Sequence, residues 1–290
     1  MEIIINPIAG GKHGKKIKKA LLAVVERLHQ RKIKYTIHQT EKKGHAKELT
    51  AKLISEGATT IVALGGDGTL HEVINGFTNF ENTALGLIPC GTGNDFATAL
   101  GLPKDPVKAI DLIIDGQPKF TDFMQMPTVR GINIIGMGID VDVLKKYESL
   151  KKKTKLGYTK CLIKTLFDFD YTNFKVELDG EKTIDYRSFI ACIANGRYYG
   201  GGIPICPIAD ASDGKLDFIA VDAMNKIKLI GAFLKLKKGK IPFAVCHTSF
   251  MLSSSMVGIF DIDYDLFKEW AKAIDQKNIA FMLCGHIHKF

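Results

Sequence analysis

The chain lacks most of the features that would assign it quickly. No apolar run approaches the roughly twenty residues that a membrane-spanning helix needs, and the first residues (MEIIINP) do not read as a secretory signal. There is one tryptophan, and the six cysteines (Cys90, Cys161, Cys192, Cys206, Cys246 and Cys284) form no C-x-x-C pair. That scatter fits reduced thiols in a cytoplasmic protein. No G-x-x-x-x-G-K-[ST] is present, the first strand–helix turn lacks G-x-G-x-x-G, and the H-R-D and D-F-G elements of protein kinases are missing. No helix-turn-helix, zinc-finger or RNP-type pattern accompanies the excess of positive charge, so nucleic acid is not an expected partner.

What is present is a folded composition of 290 residues, 46% hydrophobic, with a formal charge of +9. Lysines are dense over 12–19, 145–155 and 226–240. Such runs are ordinary solvated faces unless a polyanionic ligand or an anionic membrane is the partner.

The first part alternates strand and helix. Strands are expected at Glu2–Ile5, Tyr35–Gln39, Thr59–Leu64 and Ala84–Ile88. Helices are expected over Ile17–Leu28, His45–Glu56, Leu70–Phe77 and Pro106–Asp115. This order predicts an α/β, doubly wound, mostly parallel sheet with ligands at the carboxyl ends of its strands. After Asp122 short β-rich segments (Ile132–Ile135, Phe174–Leu178, Ser188–Ala194, Lys215–Val221) read as an antiparallel β domain, with a basic helical excursion over Lys145–Phe169. The expected divisions are 1–122, 123–240 and an atypical segment, 241–290.

Leu64-Gly-Gly-Asp-Gly-Thr-Leu70 is the most informative stretch. A buried strand that empties through glycines into a helix N-terminus makes a phosphate cradle, because unpaired amides and the helix dipole favour negative charge. An aspartate there repels phosphate unless a divalent cation lies between them, so metal-assisted nucleotide binding is expected. A second glycine loop, Cys90-Gly-Thr-Gly-Asn-Asp95, follows the next strand.

Four elements occur in order: Asn6-Pro7 with Gly10, Thr40 with Gly44-His45-Ala46, Gly65–Glu72 with Asn75-Gly76, and Gly91–Ala97. On these the sequence resembles the diacylglycerol kinase catalytic-domain family, most closely its soluble bacterial lipid kinases. The resemblance continues through Asp122, Gly136–Asp140, Asn195–Gly202, Pro207 and Asp213–Leu216, to about residue 240. It implies a nucleotide domain related to that of NAD kinases, then a β-sandwich domain. It also implies transfer of the γ-phosphoryl group of ATP, with Mg²⁺, to a lipid hydroxyl; for the nearest relatives, diacylglycerol becomes phosphatidic acid. Peripheral association with the inner face of the membrane follows from that reading, and a homodimer is the assembly it leaves open.

The residues carried over as nucleotide contacts are Asn6, Gly10, Thr40, Gly65, Gly66, Asp67, Gly68, Thr69, Leu70, His71 and Thr92. A simple turn at Asn6 and Gly10 and a helix cap at Thr40 are the plainer alternatives. Asp67, Asp95 and Asp122 are the catalytic candidates around Mg²⁺, with Asp95 equally able to cap the following helix. Among glycines Asp67 has no evident structural task. Asp210, Asp213 and Lys215 match a separate family metal site of loop carbonyls and one carboxylate, against the alternative of an Asp-Gly turn. His71 stands where asparagine is commoner in the family, and Thr98 where arginine is frequent. Asp179-Gly180-Glu181 is read as a hairpin turn rather than the family's late catalytic glutamate.

From Ile241 the resemblance stops. No Asp-Gly-Glu follows, which puts turnover in question and leaves a nucleotide-binding pseudoenzyme as an alternative. Kinases of a sphingoid base, a polyprenol or NAD are further alternatives, with Asn6-Pro7 and the Gly91–Asp95 loop speaking against NAD. Val245-Cys-His247 and Gly285-His-Ile-His288 look like the end of a calcineurin-type metallophosphoesterase without that family's earlier ligands. A foreign segment or a divergent tail both account for 241–290.

Overall fold

The computed structural model describes residues 1–9, 14–150, 155–168, 171–178, 182–222, 226–237, 245–248 and 280–281. The chain divides into two compact units, Met1–Phe120 and Thr121–Lys289.

In the first unit the elements run β1 (Glu2–Ile5), α1 (Lys15–Gln30), β2 (Thr36–Gln39), α2 (His45–Ser55), β3 (Thr60–Gly65), α3 (Asp67–Gly76), β4 (Ala84–Pro89), α4 (Asp95–Ala99) and α5 (Pro106–Asp115). The strands lie in the order β2-β1-β3-β4 and all neighbours are parallel. Alternation along the strands explains why both faces are covered. Ile3, Ile5, Val62, Leu64 and Ile88 pack on one face with Ile17, Val24 and Leu28 of α1 and Ile110 of α5. Ile4, Ile61 and Ala63 pack on the other with Leu53 of α2 and Val73 and Phe77 near α3. Side chains of period two on buried parallel strands must be apolar on both faces, which is why these strands read as unbroken apolar runs.

The helices are fastened to each other as well as to the sheet. Arg27 of α1 pairs with Asp111 of α5 at 2.7 Å, and Arg31 reaches Asp111 and Asp115. On the opposite face the last turn of α3 lies against α2 so closely that a Cβ at Gly76 would stand 2.3 Å from the Lys47 carbonyl oxygen. The helix expected from Leu70 begins at Asp67, because Gly66 is extended and the Leu70 N–H closes the first turn on the Gly66 carbonyl at 3.0 Å.

The second unit contains β5 (Met124–Gln125), β6 (Arg130–Gly131), β7 (Ile134–Gly138), α6 (Ile139–Glu148), α7 (Lys155–Asp168), β8 (Thr172–Leu178), β9 (Lys182–Ala194), β10 (Leu216–Asp222), α8 (Lys226–Lys237), β11 (Val245–Thr248) and β12 (Ala280–Phe281). The long strand β9 organises it. Antiparallel β10 runs along one edge, while β8 and then β7 occupy successive stretches of the other. The β8–β9 register brings Leu178 opposite Lys182, which is the pairing expected of strands flanking a tight connection; residues 179–181 themselves lie outside the described residues. Helices α6 and α7 cover the sheet through Ile139, Val143, Leu162 and Leu166, which join Ile190, Cys192 and Ile219 in one core. Gly138 turns the chain from β7 into α6 at φ +102°, with the Phe189 carbonyl oxygen 2.6 Å from where a Cβ would be.

Of the segment read as atypical, β11 pairs with β10 and β12 with β8. The expected helix near 265–275 and the Gly285–His288 motif lie outside the described residues.

Candidate functional site

The sheet order places a topological switch between β1 and β3: the chain leaves β1 toward β2 on one side and reaches β3 on the other. Loops at the carboxyl ends of such a strand pair splay apart and leave a crevice. The turn after β1 and the glycine loop after β3 both stand there, and the loop after β4 comes in beside them.

The first turn is held by Asn6, whose side-chain oxygen accepts the Ile8 N–H at 3.1 Å while its carbonyl accepts the Ala9 N–H at 3.0 Å. Gly10 lies outside the described residues. Thr40, buried at the end of β2, donates its N–H to the Ile5 carbonyl at 2.9 Å and so fastens that loop to β1. The following α2 has its N-terminus occupied from within the fold: Glu72 accepts the N–H groups of Gly44 at 2.9 Å and Ala46 at 3.2 Å.

The two glycine loops are built against each other, backbone on backbone. Gly65 accepts the Cys90 and Gly91 N–H groups at 2.6 and 3.2 Å. A Cβ on Gly91 would fall 2.4 Å from the Gly66 α-carbon, a contact only two glycines permit. Asn94, in the left-handed region at φ +57°, clasps Gly91 with both ends of its amide, at 2.8 and 3.0 Å. Lys16 of α1 donates to the Gly91 carbonyl at 3.1 Å.

Asp67 joins the loops. Its Oδ2 accepts the Asn94 N–H at 2.7 Å, and its Oδ1 accepts Asp95 N–H at 2.8 Å and Phe96 N–H at 3.5 Å. The carboxylate therefore caps α4 from another loop, a structural task that its glycine surroundings conceal in the sequence. The capping of α4 considered for Asp95 falls instead to Asp67, with Asn94 as the N-cap residue. Asp95 itself is buried, and a Cβ on Gly93 would lie 2.8 Å from Asp67 Oδ2 and 3.4 Å from Asp95 Oδ2. Two carboxylates from different loops thus flank Gly93.

At α3 the situation is reversed. Gly66, its N-cap, has no side chain to offer the amides of the first turn, and Gly68 has open space where a Cβ would be. Helices α2 and α4 have acidic caps, whereas α3 presents its positive end to the crevice. Thr69 is buried over Gly65, and Leu70 is buried with its N–H committed to the helix, so Leu70 serves the core rather than a ligand. Thr92 and His71 are exposed. Desolvation of the His71 ring lowers its pKa from the ordinary histidine value, against the pull of Glu72.

The arrangement fits a nucleoside polyphosphate with a hard divalent cation. Amides of α3 suit phosphate oxygens, and oxygen donors of the Asp67–Asp95 type suit magnesium. Three of Asp67's roughly four acceptor directions are taken by amides, which favours contact through metal-bound water rather than direct ligation.

Asp122, in the second unit, is buried. Its Oδ2 accepts Gly214 N–H at 2.7 Å, its N–H donates to the Ala211 carbonyl at 2.7 Å, and its own carbonyl accepts Asn195 Nδ2 at 2.7 Å. It thereby staples the 210–215 loop. In that loop Asp210 accepts the amide and hydroxyl of Ser212 at 3.0 and 2.7 Å, and Asp213 accepts Lys215 N–H at 2.9 Å. These are turn-forming bonds, and they hold the Asp210 carboxyl below its ordinary pKa, chiefly through Ser212. Among the described residues no three His, Cys, Asp or Glu side chains gather as a metal cluster, so a cation in this loop would depend on its carbonyls. The staples by Glu72, Asn94 and Asn195 were not singled out from the sequence; each lies inside a motif, and the partners of Glu72 and Asn195 are distant in the chain while Asn94 closes its own loop on Gly91.

The diacylglycerol kinase catalytic domain model matches residues 1–126, and the YegS C-terminal NAD kinase beta sandwich-like domain model matches residues 133–244. A diacylglycerol kinase of Mycobacterium tuberculosis is 30% identical over 243 residues, covering 81% of this chain and 77% of that protein. One of Bacillus subtilis is 32% identical over 234 residues, covering 79% and 75%. The crystal structure of a diacylglycerol kinase from Bacillus anthracis str. Sterne superimposes with a TM-score of 0.67 at 25% identity, over 85% of this chain and 82% of that one. With the two glycine loops joined through Asp67 and both domain models in register, the chain belongs to the diacylglycerol kinase family of lipid kinases.

Proposed function

We propose that this protein is an ATP- and Mg²⁺-dependent kinase that phosphorylates the hydroxyl of diacylglycerol to give phosphatidic acid, working from the cytoplasmic side at the membrane surface. The observation that carries the reading is the uncapped N-terminus of α3 at the β1/β3 switch, beside two carboxylates that flank Gly93. Amides of Gly68 and Thr69 bind the phosphate chain, and Asn6 and Thr40 border it. Asp67 and Asp95 hold the cation through water; Asp122 acts within the second unit, where its carboxylate fixes the 210–215 loop. Magnesium, when bound, neutralises the charge that gathers on the phosphoryl oxygens. Rigid loops suit this chemistry, since phosphoryl transfer requires positioning more than covalent participation. Residues 1–122 carry nucleotide binding and 123–240 form the sandwich, with the 210–215 loop as a structural cation site.

The test is transfer of labelled γ-phosphate from ATP to diacylglycerol in mixed micelles, with Asp67→Asn as control. Incorporation by the natural protein is expected to fall about 10²–10³-fold in the variant; incorporation unchanged by the substitution overturns the assignment. A second reading, a nucleotide-binding pseudoenzyme, is favoured by the lack of an Asp-Gly-Glu in residues 241–290. It predicts ATP binding with no labelled lipid in either protein.

A further inference from the structure

Strand β9 ends and β7 begins on a pair of asparagines. One step beyond the ladder partners Ile134 and Ala194, Asn195 donates its N–H to the Asn133 carbonyl at 2.8 Å. Residues opposite each other in an antiparallel ladder send their side chains to the same face, with Cβ atoms about 5 Å apart. Each carboxamide is fixed through its nitrogen. Asn195 Nδ2 donates to the Asp122 and Ile132 carbonyls, both at 2.7 Å, and Asn133 Nδ2 donates to the Tyr198 carbonyl at 2.9 Å. Flipping either amide would set oxygen against oxygen at these distances, so the orientation of both groups follows from their partners. The oxygens are the ends left over. Asn195 is 1% exposed, and both Oδ1 atoms are shielded from solvent with no hydrogen-bond partner among the described residues. A buried acceptor without a partner is costly, and two on one face of one ladder mark a place for a ligand.

The surroundings select its chemistry, because acceptors predominate. The Asn195 and Gly196 N–H groups both go to the Asn133 carbonyl, at 2.8 and 3.0 Å. A carbonyl oxygen can take a second partner, so those of Ile132 and Tyr198 can join the two amide oxygens. Water would donate to both amides, but its own lone pairs need donors, and the donors named here are already engaged. A cation needs acceptors alone. Neutral oxygens suit a singly charged cation that sheds its water readily, whereas magnesium keeps water and seeks carboxylates. Asp122, whose carbonyl holds Asn195, is buried, and its carboxylate adds a field that favours positive charge. All of these residues belong to the second unit, and none lies in the 210–215 loop.

We propose that Asn133 and Asn195 form a binding site for an alkali-metal cation, potassium or sodium, which fastens the end of β9 to the start of β7. The site is independent of the lipid-kinase reading and requires neither ATP nor magnesium.

The experiment is thermal unfolding of the full chain in potassium, sodium or tetramethylammonium chloride at one ionic strength, with EDTA throughout to remove divalent ions. Potassium or sodium is expected to raise the midpoint above that in tetramethylammonium, which is too large to enter; the more effective of the two identifies the cation. At a concentration ten times Kd the unfolding equilibrium constant should fall about tenfold. Asn133→Leu should abolish the difference between salts, and it removes fewer hydrogen bonds than Asn195→Leu would. Asn133→Asp keeps one oxygen and adds a charge, so it should enlarge the difference; an asparagine kept only for its bond to Tyr198 would not behave so. Equal midpoints of the natural protein in the three salts overturn the proposal and leave water as the occupant. So does a salt preference that Asn133→Leu leaves intact, which places the cation elsewhere on the chain. Where the leucine variant does not fold, a salt preference unchanged in Asn133→Asp overturns it equally.

Discussion

The carboxylate of Asp67 lies across the start of the helix at Asp95, accepting the Asp95 N–H at 2.8 Å and the Asn94 N–H at 2.7 Å. One residue of the first glycine loop thereby determines where the second one stands. Cation binding, if it engages Asp67, is coupled by geometry to the placement of Asp95. The coupling separates two roles that substitution at Asp67 would otherwise merge.

Replacing Asp67 with alanine leaves the amides of Asn94, Asp95 and Phe96 without their acceptor. Loss of a helix cap costs about 1 kcal/mol, up to about 2. Urea denaturation should show a loss of that size for Asp67→Ala and a smaller one for Asp67→Asn, which keeps one oxygen. Turnover should collapse in both. A variant that recovers its stability as asparagine but not its activity separates the cap from the cation.

Cys206 is fully buried beside the buried Asp217. Burial, with the neighbouring charge and hydrogen bond of Asp217, pushes its thiol up to about 12 from an ordinary 9.0. A group whose folded pKa is raised favours folding fully below the unfolded value and loses that contribution as pH climbs to the folded one. Stability should therefore decline between about pH 9 and pH 12, and less so in Cys206→Ala once its cavity cost is subtracted. Iodoacetamide labelling at pH 9 should spare Cys206 in the native protein and modify it in urea; rapid native labelling would contradict the assigned environment.

Much of the fold was readable because its signals are local. Ile3-Ile4-Ile5 and Ile61–Leu64 are apolar at every position, the pattern of strands covered on both faces, and the glycines mark where those strands end. Helix boundaries were less legible: α3 begins at Asp67 rather than Leu70 because the extended Gly66 starts the helix early. The site's staples were concealed by distance. Asp67 meets residues 27 to 29 positions away, Glu72 reaches Gly44, and Asp122 binds Gly214 across 92 positions. A carboxylate in a glycine loop looks the same in sequence whether it caps a helix or faces a cation.

Gly68 and Gly91 offer a paired test of the crevice. A methyl group at Gly91 would meet the Gly66 α-carbon at 2.4 Å, and backbone cannot swing aside as a side chain can. Gly91→Ala should therefore destabilise the first unit by about 1–3 kcal/mol and weaken nucleotide binding as the two loops are forced apart. Gly68 lies in the first turn of α3 with nothing within 4 Å of the added carbon. Gly68→Ala should raise the melting temperature, since alanine stabilises by about 0.4–1 kcal/mol at a compatible position. The same methyl group intrudes where phosphate meets the α3 amides, and a displacement of that size should raise KM for MgATP about tenfold or more. Higher stability with poorer nucleotide binding is an outcome that a purely structural role for Gly68 cannot produce. Calorimetric titration with MgATP showing equal affinity for Gly68→Ala and the natural protein would remove phosphate from this end of the helix.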